Sequence, residues 1–156
     1  MANSRAKQVA ALNPAPHPLD ANAEITVIGE YLTKTGDVIN DIVEMVPWPA
    51  GTVPTEVTVD NGALGASATL DIGVISGNYG DAIATRTMPG NEFLAAGAAA
   101  TAGVLRRNKT MAVPALAVQG TDRSLGIKFL GANPAAGQLI RMVAKFAPNP
   151  GNVAVA

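Results

Sequence analysis

The stretch Thr52-Val53-Pro54-Thr55-Glu56-Val57-Thr58-Val59-Asp60 sets the architecture. Its period of two predicts a strand with Val53, Thr55, Val57 and Val59 on one face and Thr52, Pro54, Glu56, Thr58 and Asp60 on the other, so one face is wet. After the turn Asn61-Gly62-Ala63-Leu64-Gly65, residues 66–75 alternate again: Ala66, Ala68, Leu70, Ile72 and Val74 face inward, and Ser67, Thr69 and Asp71 outward. The two segments together read as a hairpin.

Working outward, the same rhythm recurs. Glu24 to Lys34 and Val38 to Trp48 flank the turn Thr35-Gly36-Asp37, and Pro47-Trp48-Pro49-Ala50-Gly51 breaks the second run. Later, Arg123 to Leu130 places Leu125, Ile127 and Phe129 on one face. Gln138 to Phe146 places Ile140, Met142, Ala144 and Phe146 together, with Arg141 and Lys145 opposite. Asn91 to Gly103, rich in Ala but cut by Gly97, reads as a short helix or a loop. Thr110 to Val118, interrupted by Pro114, reads as an edge strand. Short β-runs punctuated by Gly, Pro, Asn and Asp predict an all-β protein of at least six strands: a jelly-roll-like β-sandwich with an extended N-terminal arm. Residues 1–23 form the arm, where Pro14, Pro16 and Pro18 enforce extended backbone; 24–147 form a single sandwich domain, and 148–156 a flexible tail.

Composition narrows the function. Apolar residues make up 48% of the 156 but aromatics only 4%, so the core is built from Val, Ile, Leu, Ala and Met. Charge is 15%, which leaves apolar surface for a partner to bury. With no cysteine there is neither a disulfide framework nor a thiolate metal site. No apolar run has signal-peptide or bilayer-spanning character, so the expectation is a soluble protein that stays in the cell that makes it. The net charge of −1 argues against nucleic acid as a partner, yet eleven of the twelve acids lie in residues 1–100 and seven of the eleven basic groups in 101–156. That asymmetry fits strand pairing between the halves, or an acidic and a basic face meeting between subunits.

Chemistry is sparse. His17, the lone histidine, lies in the arm, so no Ser-His-Asp or Cys-His arrangement sits on the body. No glycine pattern of a nucleotide-binding loop follows a strand. Asp37, Asp41 and Glu44 lie close together on an expected strand, where Asp37 and Asp41 would share a face about 13 Å apart, too far for a glycosidase pair. They read as a solvated face. Asp60-Asn61 reads as ordinary turn chemistry in preference to a calcium site. The expectation is therefore no catalytic, metal or cofactor residue and no small-molecule substrate. Arg106, Arg107 and Lys109 form the densest positive cluster, suited to an acidic partner surface. Trp48 suits either a cap on the core or an interface anchor.

The run Val46-Pro-Trp-Pro-Ala-Gly-Thr-Val-Pro-Thr-Glu-Val-Thr-Val59, followed by Ala66-Ser-Ala-Thr-Leu-Asp-Ile-Gly-Val74, resembles small β-domains of bacteriophage virion structural proteins. The likeness covers residues 24–80 and is one of packing and turns. With the basic arm and the Ala/Gly-rich body, it is similar to capsid decoration (cement) proteins. What the resemblance implies is a non-enzymatic protein of the capsid's outer surface, made in the host cytoplasm, whose partners are the major capsid protein and its own copies as a homotrimer. On that reading shell contacts run through Arg5, Lys7, Pro14, Pro16, His17 and Pro18, while Trp48, Arg106, Arg107 and Lys109, read from their own chemistry, are the candidates for an interface. The alternative is a head-fibre or tail-associated sandwich that binds host glycans; a small hydrolase is disfavoured by the missing histidine.

Overall fold

A computed structural model describes residues 3–6, 24–108 and 120–148. Among these the chain forms nine strands, β1 (Ser4–Arg5), β2 (Ile25–Leu32), β3 (Ile42–Trp48), β4 (Thr52–Asn61), β5 (Thr69–Ile75), β6 (Leu94–Ala98), β7 (Gly103–Arg106), β8 (Arg123–Leu130) and β9 (Leu139–Pro148). They make an all-β sandwich of a five-stranded sheet, order β1-β3-β8-β5-β6, and a four-stranded sheet, order β2-β9-β4-β7. A single 3-10 turn, Ile83–Thr85, is the only helical element among the described residues. The expected strand at Thr110 to Val118 and the tail after Pro148 lie outside the described residues.

The alternation of the last strands holds. Leu125, Ile127 and Phe129 of β8 and Ile140, Met142, Ala144 and Phe146 of β9 are all buried in one core with Val57, Val59, Leu70, Ile72 and Trp48. Each fully buried Leu, Ile or Phe contributes roughly 1.5–3 kcal/mol over leaving it exposed.

Three expectations are corrected. The segments at 52–60 and 66–75 are not a hairpin: β4 pairs with β9 and β7, while β5 lies in the other sheet between β8 and β6. Both strands do turn one face inward, but towards the interior from opposite walls, and the linking residues 62–68 cross between the sheets. Within β4 the expected faces hold only past Thr55. The register with β9 shifts between Pro54 and Glu56, and this bulge changes the parity, so that Thr52 and Pro54 are buried before it and Val57 and Val59 after it. Finally, the Ala-rich stretch expected as helix or loop carries β6. Leu94 to Ala98 pairs with β5, and where that register shifts, side chains complete the ladder. Asp71 Oδ1 accepts the Ala96 N–H at 2.7 Å, and the Asn108 amide bonds both the N–H and the carbonyl of Ala95 at 3.1 and 3.2 Å. Pairing with an existing sheet overrides the helical preference of alanine.

The outer face of the five-stranded sheet is covered by the chain between β5 and β6. Met88 from this excursion is buried with Ile42 and Ile75, and the carboxylate of Glu92 accepts the Val74 N–H at 2.9 Å. Space for it depends on glycine: a Cβ at Gly73 would lie 2.5 Å from the Gly90 carbonyl oxygen; within the sheet itself, one at Gly126 would lie 2.6 Å from the Val43 carbonyl oxygen.

Candidate functional site

Glu44 is the one acid of β3, a strand buried on both faces, and its side chain is fully buried. It points to the covered outer face, where desolvating a carboxylate is tolerable only with partners. Two arginines supply them. Arg5 Nε of β1 lies 2.8 Å from Glu44 Oε2, and Arg86 Nη1, from the covering excursion, bonds Glu44 Oε1. Arg86 is itself buried, donating to the Ser76 carbonyl at 2.6 Å and to Ser124 Oγ at 2.6 Å. Around this cluster the first residues are stitched into the body. Asn3 Nδ2 donates to the carbonyls of Ile83 and Arg86 at 2.8 and 2.7 Å, the Ala6 N–H bonds the Glu44 carbonyl at 2.7 Å, and Arg5 also donates to the Asp81 carbonyl.

The sequence suggests Arg5 on an arm apart from the body, free for a shell. The structure instead places it in β1, parallel to β3 with Arg5 opposite Glu44, because a buried carboxylate and an open sheet edge both require what this segment supplies. Lys7, Pro14, Pro16, His17, Pro18 and Lys109 lie outside the described residues. Trp48 does not present an anchor: it is fully buried, and its Nε1 donates to the Thr52 carbonyl at 3.0 Å, capping the core across the Pro47–Gly51 turn. Arg106 and Arg107 are exposed at the end of β7, where they line a shallow groove with Thr55, Glu56, Val57 and Thr58 of β4.

The carboxylates considered for chemistry do not converge. Asp37 and Asp41 lie in the β2–β3 loop, not on one strand face, and serve as turn acceptors for the Lys34 N–H and the Val38 N–H, both at 2.8 Å. Asp37 also accepts the Tyr31 hydroxyl at 3.0 Å; burial, with that carboxylate beside it, pushes the Tyr31 phenol up to about 12. Asp60 faces solvent while Asn61 faces inward, donating to the carbonyls of Gly62 and Thr101 at 2.8 and 3.0 Å, so the two side chains do not form a joint ion site.

A second feature escaped the sequence reading: the open outer face of the four-stranded sheet. In register along β2 and β9, Leu32 sits opposite Leu139, Glu30 opposite Arg141 and Ile28 opposite Val143. Ile28, Leu32 and Leu139 are 45%, 56% and 46% exposed, which is high for such large apolar side chains. Glu30 and Arg141 are ion-paired between them at 2.6 Å. Further along, Lys145 pairs with Glu56 of β4 at 2.6 Å, and this contact draws the Glu56 carboxyl below its ordinary range and raises the Lys145 ammonium. The signals were in the sequence: one acid inside the apolar run Ile42 to Trp48, and apolar residues on both parities of Ile25 to Leu32.

No protein-family model and no curated protein sequence matches the chain. Solved structures do. A chain of the capsid of Ralstonia phage GP4 is 27% identical with a TM-score of 0.83, over 95% of this chain and 99% of that one. A chain of the cyanophage Pam1 capsid asymmetric unit shares the fold, at 15% identity and a TM-score of 0.55 over 81% and 85% of the two chains. The structures that this sandwich is similar to are thus those of bacteriophage capsids, and it is a phage capsid-type protein in its fold.

Proposed function

We propose that this chain is a virion structural protein that decorates and stabilises a phage capsid, binding major capsid protein subunits as an oligomer. The observation that carries the reading is the likeness to the Ralstonia phage GP4 capsid chain, which spans nearly the whole of both chains and so relates two small proteins of similar length. The strand orders β2-β9-β4-β7 and β3-β8-β5-β6 support reading the body as a jelly roll, with β1 added at one edge. They place every sequential connection except β5–β6 across the two sheets.

The aromatic residues weigh against the glycan-binding alternative. Trp48, Tyr31, Phe93, Phe129 and Phe146 are all buried, leaving only Tyr79 partly exposed, so the body offers no platform of rings for a sugar. Since Ser4 and Arg5 belong to the sheet and Asn3 and Ala6 are bonded to the body, the shell-contacting segment of this proposal is Lys7 with Pro14, Pro16, His17 and Pro18, and the exposed Arg106 and Arg107 are a second contact for an acidic surface. Symmetric multiplicity would turn a modest affinity per contact into a large gain in shell stability.

Co-sedimentation with undecorated capsids, alongside native mass by light scattering, tests the proposal. Saturable binding at a fixed ratio to the major capsid protein is expected, and loss of binding when Lys7 is replaced by Ala and Pro14, Pro16 and Pro18 by Ser, with the melting transition retained. A protein that ignores capsids at every concentration would overturn the reading.

A further inference from the structure

We infer that the outer face of β2 and β9 is where copies of this chain meet. The inference deepens the oligomer clause of the proposed function and names the surface. It starts from a contrast: the outer face of the five-stranded sheet is covered around Glu44 and Ile75 by the protein's own excursion, whereas the face carrying Ile28, Leu32 and Leu139 has no cover among the described residues. Large apolar side chains left this exposed on adjacent strands are a mark of an interface.

The occupant follows from the pattern on the face itself. Along the strands it reads apolar, charged, apolar: Leu32 beside Leu139, then Glu30 beside Arg141, then Ile28 beside Val143. Acid and base lie on different strands, and each apolar level has an apolar residue on both. When the β2 side of one copy faces the β9 side of the next, Leu32 meets Leu139, Glu30 meets Arg141 and Ile28 meets Val143. These three levels are matched, and no like charges are opposed among them. The match is reciprocal about a two-fold axis and can be repeated around a closed ring, so the surface suits a second copy of this chain in either closed symmetry. A partner with an unrelated surface would have to reproduce the whole sequence of levels. The ion pair already made within each chain, at 2.6 Å, can be shared across the interface and need not be broken, which spares the desolvation cost of an unpaired charge.

The test is native mass by light scattering on the full chain without capsids, so it fails or succeeds independently of capsid binding. The wild type is expected at a small multiple of 15.8 kDa at micromolar concentration. Leu32→Asp and Leu139→Asp, both at exposed positions, should each fall to the mass of a single chain while keeping the far-UV spectrum and melting transition of a folded β-protein. Ile39→Asp, an exposed apolar residue in the β2–β3 loop, is the control and should leave the mass unchanged. A wild type with the mass of one chain, or Leu32→Asp and Leu139→Asp variants that keep the wild-type multiple, would overturn the inference. Capsid binding by a single-chain wild type would do so while leaving decoration of the capsid standing without its oligomer clause.

Discussion

The two sheets of this sandwich present opposite outer faces. The five-stranded sheet is covered by the chain from β5 to β6, and beneath that cover β3 is buried at all seven positions, Glu44 included. The four-stranded sheet leaves its outer face open, and there the charges stand in exposed cross-strand pairs, Glu30 with Arg141 and Glu56 with Lys145. The same kind of contact thus has different weight. Under the cover, a carboxylate out of water must be matched donor by donor, so Arg5 and Arg86 hold the N-terminal strand and the excursion in place. On the open face water screens both partners, and what matters energetically is the apolar area waiting for a neighbour.

The contrast breaks most severely at Glu44. Glu44→Ala leaves Arg86 buried without its counter-charge and should cost about 3–5 kcal/mol, a fall in melting temperature on the order of 10 °C by thermal circular dichroism. Replacing Arg5, Glu44 and Arg86 together by Leu, Met and Met should cost less than Glu44→Ala alone, since no uncompensated charge remains. An equal or larger loss would show that the cluster is needed for more than neutralising its own charges.

Next comes the packing within the five-stranded sheet. Gly126→Ala would set a methyl group 2.6 Å from the Val43 carbonyl oxygen and 2.4 Å from Ile75 Cδ1, and should cost about 1–3 kcal/mol in a denaturant titration. A neutral result would mean that β3 and Ile75 of β5 give way around Gly126 to admit a methyl group.

Alkaline pH gives a smaller effect from the interior edge. The Tyr31 phenol ionises at about 12 in the folded protein against its ordinary 10.0, chiefly because burial disfavours the phenolate. The unfolded chain therefore releases this proton first. The contribution to stability is fully present below about pH 10 and is lost as pH rises towards about 12. Stability measured by chemical denaturation should fall less steeply over that window in Tyr31→Phe than in the wild type; identical slopes would remove Tyr31 as a cause.

The smallest effects belong to the open face. Arg141→Gln should change stability by less than about 1 kcal/mol, because the pair with Glu30 is exposed. Leu32→Asp should stay within about 0.5 kcal/mol for the single chain, although it is expected to change the native mass. A large loss of single-chain stability in either would mean that this face is covered from within.

What the sequence by itself determined is local. Alternation at Leu125 to Phe129 and Ile140 to Phe146 identified strands and their inward faces, since a side chain every second residue must point the same way whatever the rest of the chain does. The turn residues around 35–37, 47–51 and 61–65 marked where strands end. The family resemblance, carried by residues 46–74, pointed towards phage particles, the setting in which the structural likeness is also found.

Only the tertiary structure decided which strands pair. In a sandwich both sheets face one interior, so an alternating strand carries no mark of the sheet it joins; β4 and β5 have matching patterns on opposite walls. Tertiary pairing also made a strand of Leu94 to Ala98, where the side chains of Asp71 and Asn108 bond the backbone that alanine and glycine leave bare. It turned Arg5 from a basic residue near a chain end into the partner of a buried carboxylate 39 residues away. Such contacts are long-range because burial is set by what covers a residue, and no local pattern records the cover.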